Sequence, residues 1–99
     1  MPEYPKASRE RGITGVAVAE LVTDVAGSVH KVRILEAPDE GIGRAVAAAV
    51  RQWRFPSLKV KGQPVPLVGK LTFYFRKRGK MFVVESPSGA SRVRSPSSR

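Results

Sequence analysis

Residues 42–55 carry the clearest periodic pattern in the chain. Their apolar side chains recur at the three- and four-residue spacing of one helix face, and the opposite face is basic. The apolar members are Ile42, Ala45, Val46, Ala49, Val50 and Trp53. Asp39 and Glu40 precede the segment, as the helix dipole favours. The pattern predicts an amphipathic helix over 42–55, which Pro56 ends by disfavouring helical geometry at Phe55.

Residues 15–23 alternate between apolar and other side chains, which predicts a strand. The apolar face would hold Val16, Val18 and Val22. Glu20 falls on the same face, where a buried, unpaired carboxylate would be costly. We therefore expect either a β-bulge near Ala19 or Glu20, which turns Glu20 outward and Leu21 inward, or a position for Glu20 at an open sheet edge.

A second strand is predicted over residues 30–35. Val32 and Ile34 would point inward, and the basic residues beside them would point outward. The intervening residues 24–28 have turn chemistry, with a glycine able to take a positive φ. The two strands should therefore form a hairpin.

A third extended run covers residues 63–77. One face carries Leu67, Gly69, Leu71, Phe73 and Phe75, and the other carries Val68, Lys70, Thr72, Tyr74 and Arg76. Pro64 and Pro66 cannot donate to a strand ladder, so at least the start of the run should lie at a sheet edge. Residues 57–62 are interpreted as a basic loop, and residues 81–84 as a fourth short strand.

The order of elements predicts a two-layer α+β domain. A short helix over residues 5–12, with Pro5 in its first turn, would place Tyr4 against the core. No other segment has the long helix's repeat, so that helix must pack on a three- to four-stranded antiparallel sheet. The predicted core consists of Val16, Val18, Val32, Ile34, Val46, Val50, Trp53 and Phe55.

The formal charge of +10 is unevenly distributed. Residues 76–99 hold seven Lys or Arg against one acid. Residues 85–99 contain little that could be buried, so we expect a domain over residues 1–84 followed by a disordered basic tail. The tail is either simply solvated or attracted to nucleic acid or an acidic membrane surface.

The sequence offers no recognisable catalytic or metal-binding constellation. It has no cysteine, and its single histidine, His30, has no nucleophile or carboxylate at an informative spacing. No phosphate-binding loop, export signal or membrane-length apolar run is present. We expect a binding domain that is not an enzyme and holds no metal or cofactor.

Five motifs, in order, resemble one known family. They are YPKA at 4–7, GITGVAV at 12–18, GSVHKVRI at 27–34, AVAAAVRQWRF at 45–55, and GQPV at 62–65 followed by LTFYF at 71–75. Together they resemble the C-terminal domain family of TonB, the energy transducer of Gram-negative bacteria, over about residues 3–76.

The resemblance implies an inner-membrane-tethered protein whose C-terminal domain reaches across the periplasm. Such a domain grips TonB-dependent outer-membrane transporters and works with an ion-driven inner-membrane motor complex to power uptake of siderophores and vitamins such as cobalamin. The chain has no anchor and no proline-rich spacer, so we expect a fragment or a domain detached from its anchor.

The resemblance also implies a binding site. In the family, a short transporter box adds as a strand to the last main strand, which here covers Val68, Gly69, Lys70, Leu71, Thr72, Phe73, Tyr74 and Phe75. Lys70 and Tyr74 would face outward toward the peptide. Glu3 and Tyr4 complete the expected site, although the family usually has glutamine at the position of Glu3. Residues 81–84 could fold back onto the same edge and block it or shift it outward.

Two other departures from the family pattern are visible. The stretch from Val22 to Gly27 is one residue longer than the usual turn, and Pro56 comes one residue earlier than the usual proline. The longer stretch is consistent with the expected bulge.

Two alternative functions remain open from the residues alone. A nucleic-acid-binding domain could use the tail with Lys70, Tyr74 and Arg76, but a single outward aromatic residue disfavours it. A self-associating domain could form a homodimer by pairing its open strand edges.

Overall fold

A computed structural model describes residues 1–86 of the 99-residue chain. The elements are α1 (Lys6–Glu10), β1 (Gly15–Thr23), β2 (Val29–Glu36), α2 (Glu40–Arg51), β3 (Leu58–Val60), β4 (Gln63–Val65), β5 (Val68–Arg78) and β6 (Met81–Glu85). Four strands form one antiparallel sheet in the order β2-β1-β5-β6, and β3 pairs with β4 in a small second sheet. The α+β fold class predicted from the sequence is confirmed.

The core lies between one face of α2 and the main sheet. The helix contributes Ile42, Val46 and Val50, all fully buried. Beneath them lie the fully buried side chains of Ala17, Ala19, Leu21, Leu71, Phe73 and Phe75. The helical repeat in the sequence therefore identified the buried face of α2 correctly.

The predicted facing of β1 is wrong. Val16 and Val18 are half-buried on the face away from α2, as is Val22, while the alternate residues of β1 are buried beneath the helix. Ala17 and Ala19 are fully buried on this face, where the space beneath the helix is close-packed.

No bulge is needed in β1 to turn Glu20 outward. β1 pairs with β5 without interruption from Gly15 opposite Phe75 to Val22 opposite Val68. Both register shifts in the pairing with β2 place the extra residue in β2. Glu20 faces away from α2 because side chains alternate along β1 and its neighbours Ala19 and Leu21 face the helix. Its carboxylate lies 3.2 Å from the Arg33 guanidinium.

The predicted β1–β2 hairpin is present. Val32 and Ile34 are half-buried and pack against the core, as expected. In the turn, the Asp24 carboxylate accepts hydrogen bonds from the backbone N–H groups of Ala26 and Ser28, at 2.9 and 3.0 Å. Gly27 has a φ of +95°, which favours glycine.

Helix α2 ends four residues earlier than predicted, and Pro56 does not end it. After Arg51 the chain is held by the β1–β2 turn, because the Phe55 N–H donates to the Gly27 carbonyl at 2.9 Å. Trp53 nevertheless packs edge-on against Phe73, with ring centroids 5.9 Å apart, and Phe55 is buried.

The segment predicted as a loop and a single long strand contains three strands. Residues 57–62 include β3, which returns as β4 through a turn in which Lys61 and Gly62 have positive φ. Pro66 separates β4 from β5. The three-residue strands β3 and β4 are too short to produce a clear alternation in the sequence.

The two ends of the described chain pack together. Pro5 precedes α1 instead of opening it, and the Tyr4 ring packs edge-on against both Phe75 and Phe82, with centroids 5.1 Å apart in each case. The predicted fourth strand is present as β6, which also includes Glu85, a residue assigned to the tail. The rest of the predicted tail lies outside the described residues. Within residues 1–86, neither helix has the length and apolarity required to cross a membrane.

Candidate functional site

Strand β5 has one partly open side. It pairs with β1 over Val68–Phe75 and, on its other side, with β6 over Tyr74–Arg78. Within the described part of the chain, no strand covers the second side of β5 from Val68 to Phe73. The main strand predicted to bind a peptide therefore lies at an edge for most of the predicted length.

The hydrogen-bonding pattern shows which backbone groups face this edge. The Thr23 N–H donates to the Leu67 carbonyl at 2.9 Å, so the odd-numbered residues of β5 bond to β1. In antiparallel pairing the direction alternates, and Val68, Lys70 and Thr72 therefore direct their N–H and C=O groups away from β1. We call these three residues and the backbone between them the β5 open edge.

Strand β6 limits the β5 open edge at one end. Tyr74 pairs with Glu85 and Phe75 with Val84, so these two predicted site residues have no free strand side. The Tyr74 ring is also covered by the Arg76 guanidinium, 4.5 Å from its centroid. On the sequence alone, residues 81–84 could fold back onto this edge. In the structure, β6 covers β5 from Tyr74 onward and leaves Val68 to Phe73 open within the described residues.

The two faces of the β5 open edge differ in chemistry. On the face away from α2, the Val68 and Lys70 side chains are exposed and Thr72 is half-buried. On the helix face, Leu71 and Phe73 are fully buried and already belong to the core. Only the outward side chains could therefore contact an added strand without rearrangement of the core.

A groove lies on the flank of α2 opposite to the flank that faces β2. On the β2 flank, a Cβ added at Gly43 would lie 3.7 Å from the Ile34 side chain, so this part of α2 faces β2. The opposite flank and the N-terminal segment enclose a groove of about 470 Å³, lined by Met1, Glu3, Ala45, Ala48, Ala49, Gln52 and Trp53. Because Trp53 also contacts Phe73, the groove lies on the β5 side of the helix. The sequence alone did not predict this groove. The run of alanines in α2 was the available signal, because small side chains leave room for a groove on a helix surface.

The structure separates the two N-terminal residues of the predicted site. Glu3 is exposed and lines the groove, whereas the Tyr4 hydroxyl donates to the Ile13 carbonyl and its ring lies between Phe75 and Phe82. Burial raises the pKa of Tyr4, with a smaller contribution from the Asp39 carboxylate. Tyr4 therefore fixes the N-terminal segment and presents little of itself to a partner.

Asp39 fixes the neighbouring end of α2. Its carboxylate accepts hydrogen bonds from the Ile42 N–H at 2.8 Å and from the Ser8 hydroxyl at 2.9 Å. The bond from Ile42 lowers the pKa of Asp39 most. Burial partly opposes this effect, and the bond from Ser8 and the positive charges of Arg11 and Arg44 lower the pKa further. Asp39 thereby joins α1 to the N-terminal end of α2.

The outer edge of β2 is a poorer template for an added strand. Two register shifts interrupt its pairing with β1, and Lys31 and Arg33 are exposed along it. Bulges and charged side chains are the usual devices by which proteins blunt an edge strand. The β5 open edge is regular by comparison, because its pairing with β1 is uninterrupted.

The chemistry available at the site is that of the backbone. Within residues 1–86, no group of three or more His, Cys, Asp or Glu side chains is placed to hold a metal ion. His30 is exposed on β2, away from the β5 open edge. The arrangement can pair with an extended peptide through main-chain hydrogen bonds.

Comparison with known proteins identifies the family of the chain. The family described as Gram-negative bacterial TonB protein C-terminal matches residues 1–76. Protein TonB of Vibrio cholerae serotype O1 (strain ATCC 39315 / El Tor Inaba N16961) is 32% identical over 65 residues, which is 65% of this chain and 27% of that protein. The chain thus spans about a quarter of its relative. This chain belongs to the family of TonB C-terminal domains, as its motifs predicted.

Proposed function

We propose that this domain is the periplasmic, transporter-binding module of a TonB-type energy transducer. In this proposal, a short extended segment of a TonB-dependent outer-membrane transporter adds as a strand along the β5 open edge. The observation that carries the proposal is the regular side of β5 between Val68 and Phe73, which no strand covers within residues 1–86, in a chain of the TonB C-terminal family.

The geometry supports binding by main-chain hydrogen bonds. An added strand would exchange bonds with Val68, Lys70 and Thr72, each worth about 0.5–1.5 kcal/mol net. Alternate side chains of the added strand would face the exposed surface near Lys70 or the groove beside Trp53. Because the backbone supplies most of the affinity, transporters with different sequences could use the same edge.

We extend the proposal to the transmission of force from the inner membrane to the transporter. Force applied by an inner-membrane motor complex would pass along β5 to the added strand. A strand held by several parallel hydrogen bonds can transmit such a pull to the transporter and so drive uptake of siderophores or vitamins. These partners and cargoes rest on family membership.

Nuclear magnetic resonance titration of the isotope-labelled chain with a short transporter-box peptide tests the binding step. We expect the largest amide shifts at Val68, Lys70 and Thr72, with the amides of β2 unchanged. Two N-methylated versions of the peptide provide a matched control: one is methylated at the odd-numbered peptide amides and the other at the even-numbered ones. Strand addition uses only every second peptide amide, so one methylated peptide should lose binding and the other retain it.

Other outcomes would contradict the proposal. Equal binding of both methylated peptides would exclude a strand-like contact. Shifts at the β5 open edge that depend on protein concentration without peptide would instead indicate a second copy of the chain at this edge.

A further inference from the structure

The β5–β6 hairpin extends beyond the rest of the main sheet. Strand β1 begins at Gly15, opposite Phe75, whereas β5 continues to Arg78 and turns through Gly79, which has a φ of +61°. The end of this hairpin is therefore a two-stranded projection. We call residues 77–81 the hairpin tip.

Positive charge is concentrated on this projection. Arg76, Lys77, Arg78 and Lys80 lie within five consecutive positions, and all are exposed. A single carboxylate, that of Glu85, lies 3.3 Å from the Arg76 guanidinium and 2.8 Å from that of Arg78. Within residues 1–86, Lys77 and Lys80 have no carboxylate in ion-pair contact, so the projection keeps a net positive charge.

An exposed apolar side chain accompanies these cations. Met81 is 66% exposed, more than any other large hydrophobic residue in the described chain. Its neighbour Phe82 is half-buried against Tyr4, and the Lys77 ammonium lies 5.5 Å from the centre of the Phe82 ring. The hairpin tip therefore combines exposed cations with an exposed apolar side chain.

We infer that the hairpin tip binds the surface of a membrane that contains anionic phospholipids. Cations are attracted to the negative surface potential of such a membrane, and an adjacent apolar side chain can enter the boundary between headgroups and acyl chains. The inference does not depend on strand addition, because it uses residues outside the β5 open edge.

The alternative polyanion, a nucleic acid, fits this surface less well. Single strands bind on grooves with exposed aromatic rings that stack on bases. Here the Tyr74 ring is covered by Arg76, and Phe82 is packed against Tyr4 and Lys77. A groove of about 580 Å³ adjoins the projection and is lined by Arg76, Lys77 and Arg78, but its two aromatic residues are the covered Tyr74 and the fully buried Phe75.

Lipid contact and peptide binding can coexist. Arg78 lies six residues along β5 from Thr72, a distance of about 20 Å in an extended strand. A domain resting on a membrane through its hairpin tip would therefore keep the β5 open edge away from the lipid surface.

Co-sedimentation of the full chain with vesicles tests the inference. Vesicles of phosphatidylglycerol mixed with phosphatidylcholine should bind the protein, and vesicles of phosphatidylcholine alone should not. Binding should weaken as salt increases. The double variant Lys77→Gln/Lys80→Gln should bind about 20- to 30-fold more weakly, because each cation near an anionic surface contributes about a fivefold factor.

The chain provides a matched control at its opposite end. Lys59 and Lys61 are exposed in the β3–β4 hairpin, and Lys59→Gln/Lys61→Gln removes the same charge from a different place. This variant should bind nearly as well as the unaltered chain. Met81→Ser should weaken binding while leaving its salt dependence unchanged, and the Trp53 emission spectrum verifies that each variant is folded.

Several results would overturn the inference. Equal weakening by both double variants would show a diffuse effect of net charge, and no weakening by either would locate binding elsewhere in the chain. Binding to an oligonucleotide without binding to the anionic vesicles would identify the other polyanion as the partner. None of these results bears on peptide binding, so the two proposals fail separately.

Discussion

At the scale of single residues, a few polar contacts determine how the elements of this small domain meet. Asp39 caps α2 through the Ile42 N–H and also accepts a hydrogen bond from the buried Ser8. Gly27 allows the β1–β2 turn to lie against the backbone of Phe55. Both contacts join segments distant in sequence, so each is expected to affect the stability of the whole fold.

Asp39→Ala should destabilise the domain by about 1–2 kcal/mol, because it removes the helix cap and leaves the Ser8 hydroxyl without its acceptor. Urea unfolding followed by Trp53 fluorescence would measure this change. Glu40→Ala is the control, since the Glu40 side chain is 95% exposed and makes only a 3.7 Å ion pair with Arg44. A loss as large in the control would contradict the assigned role of Asp39.

The stability contributed by Asp39 should depend on pH. Because folding lowers the pKa of Asp39, its carboxylate stabilises the fold fully above the unfolded pKa of about 4, and this contribution declines as pH falls through the folded value. The difference in unfolding free energy between the unaltered chain and Asp39→Asn should therefore be constant near neutral pH and shrink below about pH 4. A difference that grows toward acid pH would contradict this sign.

Gly27 and Gly62 both have a positive φ, but only Gly27 lies against another part of the chain. Comparing alanine substitutions at the two positions therefore separates the cost of that contact from the cost of backbone strain. A Cβ added at Gly27 would lie 1.9 Å from the Phe55 carbonyl oxygen, whereas one added at Gly62 would meet nothing within 4 Å. Gly62→Ala should cost about 1 kcal/mol from left-handed geometry alone. Gly27→Ala should cost at least about 1 kcal/mol more, because the close contact forces the turn away from Phe55. Similar melting temperatures for both variants would refute the contact.

At the scale of elements, the sequence predicted whether a segment is a helix or a strand better than it predicted which face is buried and where the element ends. The strong period of α2 identified its buried face, but both faces of β1 carry apolar residues, and the β-branched valines misled the assignment. The end of α2 depends on the hydrogen bond from Phe55 to Gly27, which joins residues distant in sequence. Strands β3 and β4 have three residues each, too few for a periodic signal.

The corrected facing of β1 can be tested with a pair of neighbouring substitutions. Ala19→Leu adds volume beneath α2, where no space is available, and should destabilise the domain by about 1–3 kcal/mol. Val18→Phe adds at least as many carbon atoms on the open face and should change the unfolding free energy by less than about 0.5 kcal/mol. Chemical denaturation of both variants decides between the faces, and a reversed order would restore the original assignment.

At the scale of the whole molecule, the arrangement of sheet edges distinguishes possible binding surfaces. The β2 edge is blunted by bulges and charge, and β6 covers one end of β5. Within residues 1–86, the outer side of β6 and the β5 open edge remain uncovered, and of these two the β5 open edge lies beside the groove on the flank of α2. The motifs and the prolines before β5 predicted the family and an edge, but the coverage of Tyr74 and Phe75 depends on how far β6 returns along β5.

The affinity of a transporter-box peptide for two variants at Lys70 tests the central claim most directly. Lys70→Pro removes an N–H that faces the β5 open edge while leaving the pairing of β5 with β1, and Lys70→Gln changes only the side chain. Strand addition predicts at least about a tenfold loss of affinity for the proline variant, because a hydrogen bond is lost and the ring obstructs the ladder, with near-normal binding for the glutamine variant. Equal affinity of both variants for the peptide, with both folded, would contradict binding at this edge.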